Sequence, residues 1–96
     1  MNYGLTETTY VNLKKVINKY NKYIFKIFGS RARGDYKKNS DIDIVVYNCF
    51  DKNDEFQIKN EIDKINTPYT IDLVFFNDIT KKEFKESIKK EAIDFE

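Results

Sequence analysis

The sequence GSRARGDYKKNSDIDI, residues 29–44, joins two apolar runs and contains the most distinctive polar pattern of the chain. The first run, 24–28, ends at a Gly-Ser pair, and the second, 42–47, begins directly after an aspartate. Both arginines of the chain, Arg31 and Arg33, lie in this stretch, whereas all other basic residues are lysines. The use of arginine here indicates a need for a planar, forked hydrogen-bond donor.

The Gly29-Ser30 pair predicts a turn that binds a triphosphate. Ser30 is a favourable helix N-cap, and residues 30–34 can form one helical turn that stops at Gly34. The free N–H groups and positive dipole end of a helix start bind anions. Gly29 lets the backbone approach a phosphate closely, and the Ser30 hydroxyl adds a donor.

The two arginines have alternative roles in this turn. Arg31 and Arg33 can form bidentate bonds to phosphate, or one of them can pair with Asp35 instead. The glycines at the two ends of residues 29–34 also match the spacing of a Walker loop. However, Asp35-Tyr36 stands where that motif requires Lys-Ser/Thr, so a P-loop NTPase is not predicted.

Three aspartates fall on or beside predicted strands. Residues two apart on a strand share a face, so Asp41 and Asp43 are predicted to project together. One interpretation is a half-solvated sheet with these acids on its wet face. Asp72, isolated in the apolar run 69–76, favours a site instead. A carboxylate among aromatic and β-branched residues is costly to bury unless it is paired or binds a cation.

The three acids predict a magnesium site. Neighbouring carboxylates repel one another unless a divalent cation lies between them. Oxygen ligands suit Mg²⁺, which takes one or two carboxylates and completes its shell with water and substrate phosphate. Acids on adjacent strands can hold two ions about 3.5–4 Å apart, as phosphoryl or nucleotidyl displacement requires. Zinc is not favoured by such a ligand set.

The hydrophobic periodicity predicts an α/β (α+β) fold. It consists of a small three-stranded sheet flanked by helices, in one domain, residues 1–96. The final helix is predicted to begin at a Thr80–Glu83 capping box and to include Phe95 in its apolar stripe. The remaining elements are helices over 6–20 and 54–65 and strands over 23–28, 42–49 and 69–76.

Composition excludes several classes of function. The net charge of +1 provides no basic field for nucleic acid, so no direct nucleic-acid binding is expected. The chain has no histidine, which excludes histidine bases and His-Cys zinc sites. Cys49 is the single cysteine and cannot form an internal disulfide. Neither a signal peptide nor a membrane-length apolar run is present, so a cytoplasmic protein without membrane contact is expected.

The motif resembles the signature of the DNA polymerase β-like nucleotidyltransferase superfamily. The signature is Gly29-Ser30, ten intervening residues, the run 41–44 with its two aspartates, and a later lone Asp72 on a strand. The fuller string GSRARGDYKKNSDIDIVV resembles the minimal nucleotidyltransferase (MNT) family, the antitoxin half of HEPN–MNT toxin–antitoxin pairs. This resemblance covers essentially the whole chain and implies a polymerase β palm-like fold.

The resemblance also implies roles for these residues. Gly29 and Ser30 would hold the nucleotide triphosphate, Asp41 and Asp43 would bind two Mg²⁺ ions, and Asp72 would be the third acid. Asp72 would bind the catalytic metal or deprotonate the attacking hydroxyl. The implied reaction moves AMP from ATP to a tyrosine of a partner HEPN ribonuclease toxin and silences it.

Two alternatives to this reaction stay open. The chain is either an antitoxin that neutralises its toxin by binding alone, or a nucleotidyltransferase that acts on a small molecule. One departure from the family pattern concerns residues 91–96. The family usually carries a Glu-Gly pair, apolar residues and a tyrosine there, whereas this sequence reads EAIDFE.

Overall fold

The fold was analysed in a computed structural model that describes residues 2–96. Four helices and four strands alternate irregularly along the chain, and a short 3-10 turn at Phe76–Asp78 follows the third strand. The elements are α1 (Glu7–Lys19), β1 (Ile24–Phe28), α2 (Ser30–Arg33), β2 (Ile42–Tyr47), α3 (Lys52–Asp63), β3 (Ile71–Phe75), α4 (Lys82–Glu91) and β4 (Ile93–Asp94).

The strands form one mixed sheet in the order β3-β2-β1-β4. The β1 strand is antiparallel to both β2 and β4, whereas β2 and β3 are parallel. The predicted fold class, a small mixed sheet flanked by helices, is therefore confirmed. The predicted strand number of three is wrong by one, because Ile93 and Asp94 add a short fourth strand beside Ile27 and Lys26.

The last helix is shorter than the sequence predicted. It ends at Glu91, and Phe95 lies beyond it in the main core, 6% exposed. The Tyr3 ring packs against Phe95, and the Tyr3 hydroxyl donates to the carbonyl of Asp94 and accepts from the N–H of Glu96. These contacts with the chain start stabilise an extended end in place of another helical turn.

The predicted capping box is also absent from α4. The N-cap is Lys81, and no side-chain hydrogen bond caps the helix. Ile79 packs against the smaller core cluster and is extended, as is Lys81. Thr80 therefore lies outside the helix start, where its hydroxyl cannot act as the predicted cap.

Two clusters of apolar side chains lie on opposite faces of the sheet. Helices α1 and α3 contribute Leu13 and Ile58 to the main cluster, which includes Ile42 and Ile44 of β2. Val45, on the other face of β2, packs in the smaller cluster with Ile88 of α4, Phe28 and Val74. Because side chains alternate along a strand, Asp43 lies on the same face as Val45. Throughout residues 2–96, no helix is long and apolar enough to cross a bilayer.

Candidate active site

Asp43 and Asp72 are the second residues of two parallel, adjacent strands. The register of β2 and β3 places them directly opposite each other. Neighbouring strands are about 4.8 Å apart, so the two carboxylates project side by side from one face. The sheet thus brings together two of the three predicted site acids.

Asp41 lies in the same region but belongs to the loop that precedes β2. It directly precedes the first residue of β2 and is exposed, so it stands beside the strand and not within it. Its charge is nevertheless close enough to raise the pKa of Asp43. Among residues 2–96, no three acidic or cysteine side chains form a closely packed, ready-made set of metal ligands.

Asp43 is the most perturbed carboxyl in this region. Its pKa is raised to about 6, first because it is partly buried and then because the charges of Asp72 and Asp41 lie nearby. The Arg33 guanidinium acts in the opposite direction but does not cancel this effect. An ionised Asp43 is therefore energetically unfavourable in the protein alone and would be stabilised by a cation.

The expectation that Asp72 is a buried carboxylate is wrong. Asp72 is exposed, because β3 is an edge strand and its second residue stands at the rim of the sheet. The desolvated carboxyl is Asp43 on the central strand β2. The acid within the apolar run lies opposite Asp43 in the sheet, but it is Asp43 that is partly buried.

Gly29 lies directly against the Asp43 carboxylate. It follows β1, has φ of 73°, and is the N-cap of α2, although Ser30 was predicted for that position. A Cβ atom at position 29 would lie 2.4 Å from Oδ2 of Asp43, so only glycine fits without displacement. The carbonyl of Gly29 accepts from the N–H groups of Ala32 and Arg33. The preceding N–H groups, of Ser30 and Arg31, have no intrahelical acceptor.

The two arginines of the motif have different environments. Arg31 is 2% exposed, and its guanidinium donates to backbone carbonyls, a geometry that gives no support to the predicted phosphate contact. Arg33 is exposed and donates to Asp35 at 3.1 Å and to Glu91 at 3.0 Å. The pairing with Asp35 is the alternative that the sequence analysis left open. Glu91 had no sequence signal, since α4 brings it close only in the folded chain.

These residues fit a magnesium ion. Asp43 and Asp72 present adjacent oxygen ligands. Burial and the neighbouring carboxylates raise the pKa of Asp43, and a cation bound there would offset both effects. Mg²⁺ usually takes one or two protein carboxylates and obtains its other ligands from water and substrate phosphate. The carboxylates of Asp43 and Asp72 on adjacent strands, with the exposed Asp41 nearby, match these coordination preferences.

The pKa of Asp43 leads to a first prediction, on stability. This carboxyl titrates near its ordinary value of about 4 in the unfolded chain and near 6 in the folded protein. The folded state holds the proton more tightly, so stabilisation present below pH 4 is lost as the pH rises through 6. Without divalent cations, the free energy of unfolding of Asp43→Asn relative to wild type should rise by about 1–2 kcal/mol between pH 4 and 7, after allowance for solvent screening.

Urea denaturation at several pH values measures this difference. Asp63→Asn, which removes an exposed acid on α3, is the matched control for the loss of one negative charge. Millimolar Mg²⁺ at pH 7 should then stabilise the wild type more than Asp43→Asn. A difference between Asp43→Asn and wild type that is constant from pH 4 to 7 would contradict the role given to burial and to the neighbouring charges.

Comparison with known protein families defines the class of this chain. The family described as polymerase beta, nucleotidyltransferase, matches residues 11–94. Because the match spans most of the sequence, the chain belongs to the polymerase beta nucleotidyltransferase family. Comparison with curated proteins gives no significant match.

Two solved structures share the fold. A crystal structure of a toxin-antitoxin with AMP-PNP superposes with a TM-score of 0.63 at 18% identity, covering 91% of this chain and 72% of the other. A candidate nucleotidyltransferase from Sulfolobus solfataricus superposes with a TM-score of 0.51 at 21% identity, covering 92% of this chain and 82% of the other. At these identities the similarity establishes the nucleotidyltransferase fold.

Proposed function

We propose that this protein is a Mg²⁺-dependent nucleotidyltransferase that acts as an antitoxin. It transfers AMP from ATP to a tyrosine hydroxyl of a partner HEPN-type ribonuclease toxin. The observation that carries the proposal is the register pairing of Asp43 with Asp72, with the Gly29 turn packed against Asp43. A turn with free N–H groups thus adjoins two oxygen ligands, which is the arrangement that a metal–nucleotide complex needs.

The nucleotide part of the proposal is supported by family membership and by the chemistry of the turn. The N–H groups of Ser30 and Arg31 and the Ser30 hydroxyl are available to the phosphates of ATP. Asp41 and Asp43 would hold Mg²⁺, and Asp72 would either be a further ligand or act as the base for the acceptor. The ion would neutralise phosphate charge and polarise the phosphoryl group.

The acceptor side of the reaction depends on Asp72. A tyrosine hydroxyl has a pKa of about 10 and must lose its proton to attack at neutral pH. Asp72 is exposed at the sheet rim, where an acceptor from another chain has access to it. The hydroxyl oxygen forms a bond to the α-phosphorus while the bond to the bridging oxygen breaks. AMP is then attached to the acceptor, pyrophosphate leaves, and Asp72 takes the proton.

The toxin part of the proposal draws on the structural comparison. The toxin-antitoxin structure with AMP-PNP has the same fold over 91% of this chain. The motif resemblance to the MNT family names a HEPN ribonuclease as the acceptor. Together they favour a protein acceptor over a small molecule such as an aminoglycoside.

The second prediction tests the reaction directly. The protein is incubated with ATP, Mg²⁺ and the product of the gene next to its own, the proposed HEPN protein, and both chains are measured by intact mass. Wild type should add AMP to the HEPN protein, and Asp41→Asn/Asp43→Asn should add none. Asp63→Asn again serves as the control and should retain transfer.

The other functions give different results in the same experiment. Silencing of the toxin by the double variant, without a mass change in either case, would establish an antitoxin that acts by binding alone. Pyrophosphate release that requires an added aminoglycoside and leaves the HEPN protein unmodified would establish a small-molecule acceptor.

A further inference from the structure

Arg31 is a buried cation that, within residues 2–96, forms no ion pair with a carboxylate. Arginine stays protonated in proteins, and burying its charge is costly unless other groups compensate. The atoms that surround its guanidinium therefore indicate what it does.

Backbone carbonyls and aromatic rings replace the missing carboxylate. Nε and Nη2 donate to the carbonyl of Ser40 at 3.2 and 2.8 Å, and Nη1 donates to the carbonyl of Tyr3 at 3.0 Å. A longer bond of 3.4 Å joins Nη2 to the carbonyl of Lys38. The Cζ atom also lies 4.9 and 4.7 Å from the ring centres of Tyr36 and Tyr69, within range of cation–π attraction.

These bonds connect the two halves of the active site. The backbone of Arg31 belongs to α2, one residue after Ser30 of the phosphate turn. Ser40, which receives two of its bonds, directly precedes Asp41. One side chain thus spans residues 34–41, a loop outside regular helix and strand that would otherwise leave Asp41 loosely held.

The second anchor of Arg31 is itself rigid. Tyr3 is 4% exposed, and its hydroxyl bonds to the backbone of Asp94 and Glu96 at the end of the sheet. The guanidinium is therefore fixed against the core on one side and holds the loop on the other.

We propose that Arg31 is a positioning residue that sets the place of Asp41 relative to the Gly29–Ser30 turn by bridging to the Ser40 carbonyl. This role rests on the proposed function, since it gives Asp41 a task in binding Mg²⁺. Lysine at this position keeps the charge but has a single nitrogen, which cannot reproduce the planar fork onto several carbonyls. Arg31→Lys should therefore loosen the loop and weaken metal binding through Asp41.

The third prediction has one readout without metal and one with it. In metal-free protein, amide hydrogen exchange at Lys37 and Ser40 reports the loop, because their N–H groups bond to Ser40 Oγ and the Lys37 carbonyl. Arg31→Lys should accelerate exchange at these two amides about tenfold or more, without a comparable change in α3.

The second readout is the Mg²⁺ concentration that gives half of the thermal stabilisation seen with AMP-PNP. Arg31→Lys should raise this concentration about tenfold, the usual size of effects from groups that orient metal ligands. In an Asp41→Asn background, Arg31→Lys should change this half-maximal Mg²⁺ concentration less than about twofold, because the carboxylate that Arg31 orients is gone.

Ile62→Val controls for a general loss of stability. It shortens a buried α3 side chain of the main core and should leave the Mg²⁺ midpoint unchanged. If Arg31→Lys does not fold, Tyr36→Leu removes one aromatic face instead and should shift both readouts in the same direction by a smaller factor.

Several results would overturn the positioning role. The first is unchanged amide exchange at Lys37 and Ser40 in Arg31→Lys. The second is an equal acceleration of exchange throughout α3. The third is that Arg31→Lys and Asp41→Asn have multiplicative effects on the Mg²⁺ midpoint. If wild type shows no response to Mg²⁺, the proposed function loses its metal, while hydrogen exchange alone still decides whether Arg31 orders the loop.

Discussion

Asp43→Asn is expected to reduce AMP transfer on the order of 10³-fold or more, a loss of about 4 kcal/mol of transition-state stabilisation. Asparagine has nearly the same shape, so the strand pairing of β2 should persist. The variant loses a negative charge beside Asp72, and with it the electrostatic attraction for Mg²⁺ and ATP phosphate. Initial rates of AMP incorporation at pH 8 with saturating ATP measure the effect.

The same variant separates catalysis from folding. Ionised Asp43 is unfavourable in the metal-free fold above pH 6, so Asp43→Asn should be at least as stable as wild type at pH 8 while being inactive. Asp63→Asn should match wild type in both measurements. Retention of more than about a tenth of wild-type transfer by Asp43→Asn, equivalent to a loss under about 1.4 kcal/mol, would remove Asp43 from the metal site.

The sequence was sufficient to predict the local geometry around strand β2. Strand alternation puts Ile42 and Ile44 on the face opposite Asp43, and both lie in the main core cluster. The Gly-Ser pair marked the turn after β1, and the lone acid at position 72 marked the adjacent strand. These features are local, because each depends on the preferences of a few consecutive residues.

The features that the sequence did not show depend on contacts between distant segments. Strand β4 has only two residues and no periodic pattern, and it forms because Phe95 packs with Tyr3 from the opposite end of the chain. The carbonyls that hold Arg31 come from Tyr3, Lys38 and Ser40. No spacing rule relates an arginine to backbone acceptors in a loop.

The difference in burial between Asp43 and Asp72 also depends on contacts between distant segments. Asp72 looked like the desolvated group because its strand is apolar. The order β3-β2-β1-β4 puts that strand at the edge and Asp43 on an inner strand. A sequence pattern indicates which residues share a strand, but only the order of strands in the sheet decides which acid loses its water.

Gly29→Ala is expected to lower AMP transfer about 10²-fold or more, because an active-site group displaced by about 1 Å commonly costs that much. The new methyl group would lie 2.4 Å from Oδ2 of Asp43, so the carboxylate or the turn must move. The backbone at φ of 73° and ψ of −156° is a conformation essentially confined to glycine, and it adds strain of about 1–3 kcal/mol for a residue with a Cβ atom. Steady-state transfer rates and urea denaturation should both report the change.

Gly34→Ala is the control that separates strain from displacement. Gly34 also has positive φ, 92°, but a Cβ atom there would meet no atom within 4 Å. Gly34 is left-handed, so alanine there should destabilise the fold by about 1–2 kcal/mol, while transfer should fall much less than in Gly29→Ala. Equal losses of transfer in both variants would show that the activity depends on the backbone strain of α2, and that the contact between position 29 and Asp43 is not what shapes the site.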